Sequence, residues 1–188
     1  MRHFVGLVAA AAVVLAGAAA CGGAEEANEY LTKDGKLKET LEFRVGQEGF
    51  AGVTGTVWKC EPDGSWSVAR YVNDKVSEPE RKGKLAPKEL EALAKTLAAE
   101  EFSKLPKEFG RDSKVNRQLL TIRFGDKQTR CVLNPGETPQ QAAPDKESPK
   151  AATWNHFIAI HQAIQQHFKG DEAPGKKPGE DKKPEGKP

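Results

Sequence analysis

The sequence predicts an α+β domain, an antiparallel sheet of about five strands packed by two helices, with a disordered C-terminal tail. Three observations point there. Short segments of strand character lie near the start of the domain and again between Gln118 and Leu133. Two longer segments, beginning near Pro87 and Lys150, carry apolar side chains at helical spacing. Glycines and prolines punctuate the boundaries between them. The order is strand, strand, strand, helix, hairpin, helix, which suits helices laid on one sheet.

The first strand is read over Leu37 to Val45, where Leu41, Phe43 and Val45 alternate with Glu42 and Arg44 and define one buried face. Gly46 to Gly52 is a glycine-punctuated loop, and Val53 to Cys60 a second strand. Pro62-Asp63-Gly64 marks a turn before a third strand at Trp66 to Val72. Residues 73–84 form a charged connector. Pro87 suits the first helical position, where a missing N–H costs nothing. Leu85 and Leu90 occupy the positions of a hydrophobic staple, and Leu90, Leu93, Ala94 and Leu97 make one stripe. Pro106 ends this segment, with Phe102 and Leu105 folding back onto the core. Gln118 to Leu133 reads as a hairpin turning at Gly125-Asp126, a register that sets Ile122 opposite Thr129 and Leu120 opposite Cys131. Residues 134–150, with four prolines, form a long surface loop. The last helix spans Lys150 to Phe168, with Trp154, Phe157, Ile158, His161, Ile164 and Phe168 on one side.

The two ends differ from this domain. Arg2 and His3 precede an apolar run from Phe4 to Ala16, and small residues lead into Cys21. Polar start, short apolar core and small residues at the cut make residues 1–20 a signal peptide. An uncleaved anchor helix is the alternative, although the run is short against the about 20 residues a span needs. Ala18-Ala19-Ala20-Cys21 resembles the lipobox of bacterial lipoproteins, departing at Ala18, where a leucine is usual. The resemblance implies lipid on Cys21 and a place on the bacterial cell envelope, facing the periplasm or exterior; ordinary secretion after the same A-x-A site is the competing reading. Residues 21–36 read as a flexible tether. The tail, 169–188, is built of Lys, Pro, Gly, Glu and Asp and cannot offset the entropy of ordering. The domain proper is therefore 37–168.

Composition excludes several function classes. With 188 residues and a net charge of +2, the chain shows no basic stripe with interleaved aromatics, so a nucleic-acid partner is not expected. No P-loop, dinucleotide fingerprint or G-x-S-x-G elbow is present, so neither a catalytic residue nor a cofactor is assigned. His156, His161 and His167 are spaced by five and six residues, which turns the rings apart and argues against a metal site. Cys60 and Cys131 both fall on strands of an exported domain. A disulfide between them, worth roughly 4–5 kcal/mol in the chain-entropy model, is expected, with two buried free thiols as the alternative.

The remaining oddity is Gly49-Phe50-Ala51-Gly52, two glycines bracketing an aromatic between two strands. Either the phenylalanine tucks into the core, or the loop offers it to a partner cleft. With Val53, these residues resemble the G-G-F-A-G-[IV] signature of the emfourin family, small inhibitors of thermolysin-type metalloproteases. Leu85, Glu89, Leu90 and Leu93 match an L-x-x-x-E-L-x-x-L helix, and Glu101, Phe102, Leu105 and Pro106 an acidic–Phe–Leu–Pro segment. The similarity spans about residues 41–168. Departures are Glu48 in place of the first glycine, a longer stretch between Trp58 and Lys84, the proline-rich loop, and the cysteines. The resemblance implies a shared fold and an extracytoplasmic metalloprotease as partner, met by Gly49 to Gly52. The other function class is an envelope interaction protein without inhibitory activity, and exposure of Phe50 discriminates the two.

Overall fold

In the computed structural model, residues 28–168 are described. The signal segment, Cys21 and the tail from Lys169 lie outside them. The fold is α+β. Strands β1 (Leu41–Gly49), β2 (Gly52–Cys60) and β3 (Ser65–Val72) form a meander, and β4 (Lys75–Val76) and β5 (Arg81–Lys84) both pair with β3. Helix α1 (Pro87–Ala99), a 3-10 turn at Phe102–Lys104 and β6 (Glu108–Gly110) follow. Then come β7 (Gln118–Phe124), β8 (Lys127–Leu133), the short α2 (Pro139–Ala142) and α3 (Ala151–Phe168). The sheet has eight strands in the order β4-β3-β2-β1-β7-β8-β6, with β5 against β3, and β6 runs parallel to β8. It is therefore larger than the five antiparallel strands expected, and mixed.

Period-two burial builds the core. Leu41 and Phe43 of β1, Leu120 and Ile122 of β7, and Cys131 and Leu133 of β8 face the helices and are buried. Opposite them lie Leu90, Leu93, Ala94 and Leu97 of α1, the stripe read from the sequence, and Phe157, Ile160 and Ile164 of α3. On α3, Ile160 rather than Ile158 is buried. Helix α1 starts at Pro87, where Glu89 Oε2 accepts the Ala86 N–H at 2.6 Å, and the staple residues Leu85 and Leu90 are both buried. The Gly125-Asp126 turn sets the β7–β8 register as expected, Ile122 opposite Thr129 and Leu120 opposite Cys131.

Four expectations are corrected. The first strand runs four residues later than read, through Gly46 to Gly49, because glycine there lets Tyr71 close over the sheet. The connector at 73–84 contains β4 and β5, edge strands whose charges face water and so lack an apolar signal. The loop at 134–150 holds α2, capped by Thr138, whose Oγ1 accepts the Gln141 N–H while Gln141 Oε1 accepts the Thr138 N–H. The stretch from Asn28 to Lys36, read as part of the tether, belongs to the folded domain. Tyr30 is buried with its ring edge-on to Phe124 at 5.2 Å, and its hydroxyl accepts the Ser103 N–H at 3.1 Å.

The expected disulfide is also corrected. Cys60 lies in the row of Leu41 and Phe124, whereas Cys131 lies in the row of Leu120 and Val45. The two cysteines are three strand spacings, about 14 Å, apart across the sheet and four residues, about 13 Å, apart along it, well beyond the about 7 Å that a disulfide spans between α-carbons. Both are free and buried, and burial pushes each thiol up to about 12. They are small core residues. At pH 8 both should resist alkylation in the folded protein and react once it is unfolded, without reductant. A peptide linking Cys60 to Cys131 in a non-reducing digest would contradict this topology.

Candidate binding site at the hairpin tip

Strands β1 and β2 stay paired to their ends, Gly49 opposite Gly52, leaving Phe50 and Ala51 as the tip. Neither has a positive φ; that conformation falls on Gly52, at φ 106°. A Cβ on Gly52 would also come within 2.1 Å of Asn73 Oδ1, so glycine is needed twice over. Phe50 is 112% exposed, which removes the reading that tucks it into the core.

The tip is fastened on both flanks. On one, Asn73, in the β3–β4 turn at φ 54°, accepts the Val53 N–H at 2.9 Å through Oδ1 and donates from Nδ2 to the Ala51 carbonyl at 3.4 Å. Its backbone N–H donates to the Val53 carbonyl at 2.7 Å. On the other, Arg117 forks onto Glu48 with Nε and Nη2 at 2.7 and 2.9 Å, and the Glu48 N–H donates to the Arg117 carbonyl. Such bidentate pairs fix geometry as well as add energy.

Among the described residues, three further exposed large apolar side chains lie toward this end of the sheet, though not on one face of it. Val72 pairs with Thr54, next to the tip; Val76 pairs with Tyr71; Val115 leads into Gln118, which pairs with Gln47. The arrangement offers one exposed aromatic on a turn whose backbone is fixed from both sides. It brings together no nucleophile and base. What it can do chemically is fill an apolar cleft with little backbone ordering entropy to pay.

The Glu48–Arg117 fork also sets a pH dependence. The hydrogen bonds from Arg117 hold the Glu48 carboxyl below its ordinary 4.5. A carboxylate with a depressed folded-state value stabilises above the unfolded value and loses that contribution as pH falls through the folded one. Tip resonances, followed by nuclear magnetic resonance, should therefore shift on acidification below about 4.5, the ordinary value. Glu48→Gln should remove that transition; a shift that persists in the variant would assign it to another group.

Of the residues singled out by sequence, Gly49, Phe50, Ala51 and Gly52 come together, whereas Cys60 and Cys131 do not. His156 Nδ1 lies 2.8 Å from Glu100, His161 packs between the Phe43 and Phe157 rings, and His167 lies 3.9 Å from Glu89. Among the described residues no group of three or more His, Cys, Asp or Glu side chains is placed to hold a metal. Sequence reasoning missed Asn73 and Arg117. Asn73-Asp74 between Tyr71-Val72 and Lys75-Val76 is a two-residue turn signal that the surrounding charge concealed. Nothing in the sequence marks Arg117 as the partner of Glu48.

Comparison of the chain with protein-family models returns no match, and comparison with curated proteins returns none.

Proposed function

We propose that this chain is an exported binding module, held on the envelope membrane by lipid on Cys21, that inserts the β1–β2 tip into the cleft of a thermolysin-type metalloprotease and inhibits it. The observation that carries the reading is Phe50, 112% exposed on a turn fixed from both sides. The hydrogen bonds on both flanks order the backbone of the turn in advance, so what remains on binding is the side-chain cost of immobilising Phe50, about 0.5–1.5 kcal/mol. The emfourin-like residues at 49–53 name the class of partner.

The test is titration of the purified chain against a panel of thermolysin-type proteases. Saturable inhibition supports the reading, and activity of every panel member left untouched would sink the inhibitory half of it. The anchor is tested separately. Cys21→Ser should move the protein from the membrane fraction to the soluble one or stall its processing. Unchanged processing and membrane retention would remove the lipid from the account.

A further inference from the structure

The sheet face away from the helices carries a groove of about 350 Å³, within the range of small-ligand pockets, about 300–1,000 Å³. Its floor is set by register. Arg44 on β1, Thr121 on β7 and Arg130 on β8 stand in one cross-strand row, and Glu42, Arg123 and Gln128 in the next. Two long cationic side chains thus flank a short hydroxyl residue, with a third guanidinium beside them.

These arginines are incompletely matched. Three of them, against the carboxylates of Glu42 and Asp74, line the groove. Arg44 donates from Nε to Glu42 at 2.6 Å and lies over the Tyr71 ring at 5.2 Å. Arg123 donates from Nε to the Gly125 carbonyl at 3.2 Å. Arg130 reaches Glu108 with Nη1 at 3.3 Å, while its Nε is buried and meets no acceptor. A buried charged donor without an acceptor is expensive, which leaves the Arg130 guanidinium under-compensated within the chain and raises what an oxyanion in the groove would contribute. Burial raises the Tyr71 phenol, with the charges of Arg44 and Arg130 acting in the opposite sense, and Arg44 is the guanidinium that lies over its ring. Planar guanidinium forks match carboxylate and phosphate oxygens.

We infer that this groove binds a small ligand carrying two or more oxyanion groups, carboxylate or phosphate, gripped by Arg44 and Arg130 across Thr121 with Arg123 alongside. The site is on the open sheet face and is independent of the protease reading.

The experiment titrates the full-length chain in detergent with citrate and, separately, pyrophosphate, reading amide shifts and binding heat. Saturable binding that weakens with added salt is expected, with shifts at Thr121, Gln128 and Arg130. The stronger probe assigns the class, carboxylate or phosphate. Arg130→Gln should weaken binding by about tenfold or more. Thr121→Glu, which sets a carboxylate between the two guanidinium groups, should abolish binding and raise the melting temperature. Arg70→Gln, at an exposed pair with Glu80 outside the groove, should change neither. Absence of saturable binding by both probes, or equal loss in Arg70→Gln and Arg130→Gln, overturns the proposal.

Discussion

Phe50→Ala is expected to weaken inhibition by about 30- to 1,000-fold, the about 2–4 kcal/mol of a central aromatic anchor, while leaving the melting temperature unchanged. The two halves of this expectation rest on one observation. A side chain 112% exposed has no packing to lose, so truncation should change stability by less than about 0.5 kcal/mol. Had Phe50 been a core residue, the same change would remove about 3–5 kcal/mol of stability. Asn73→Ala supplies the contrast. It removes the side-chain bonds to Val53 and Ala51 but leaves the aromatic in place, so the loss is one of preorganisation, about tenfold. Thermal melts and inhibition constants for the two variants, side by side, separate anchor from scaffold. Inhibition by Phe50→Ala equal to that of the parent would remove Phe50 from the interface.

How much of this was legible in the sequence depended on whether a local rule decided the outcome. The β7–β8 register followed from Gly125-Asp126 because a two-residue turn leaves a hairpin few alternatives, and the α1 stripe followed from Pro87, the staple and helical spacing. The exposed tip was legible only as an alternative. Composition does not say whether a phenylalanine between glycines points inward, and here the pairing of Gly49 with Gly52 at the end of the sheet settled it. The cysteine pair failed for a different reason. Placement on strands was right for both, yet their separation depends on strand order, and β1 and β7 lie between β2 and β8. Strands β4 and β5 escaped because a charged edge strand has no periodic apolar signal to read. The groove arginines were visible as residues, but the alignment of Arg44 and Arg130 in one row, with Arg123 in the next, is a property of a three-strand register.

Glycines 46 and 55 carry the second large effect. They pair across β1 and β2, and Tyr71 pairs with Gly55 from β3, so one aromatic lies over two glycines on the open face. The arrangement covers glycine backbone that would otherwise stand bare in a strand. A Cβ on Gly46 would meet the Tyr71 hydroxyl at 2.0 Å, whereas a Cβ on Gly55 would meet the Val45 carbonyl oxygen at 2.0 Å and the Gly46 α-carbon at 2.6 Å. The first obstacle is the far end of a side chain; the second is backbone. Gly55→Ala should therefore cost about 3 kcal/mol or more, because the β1–β2 ladder must shift to admit it. Gly46→Ala should cost less, and its cost should shrink when measured in a Tyr71→Ala background. Gly55→Ala should cost the same in both backgrounds. Denaturant melts of the two glycine variants, each with and without Tyr71, form two double-mutant cycles. Coupling to Tyr71 is expected for Gly46 alone. Equal coupling for both glycines would mean that the Gly55 obstruction is also Tyr71, and that the close approach of β2 to β1 at this row is not what requires glycine there.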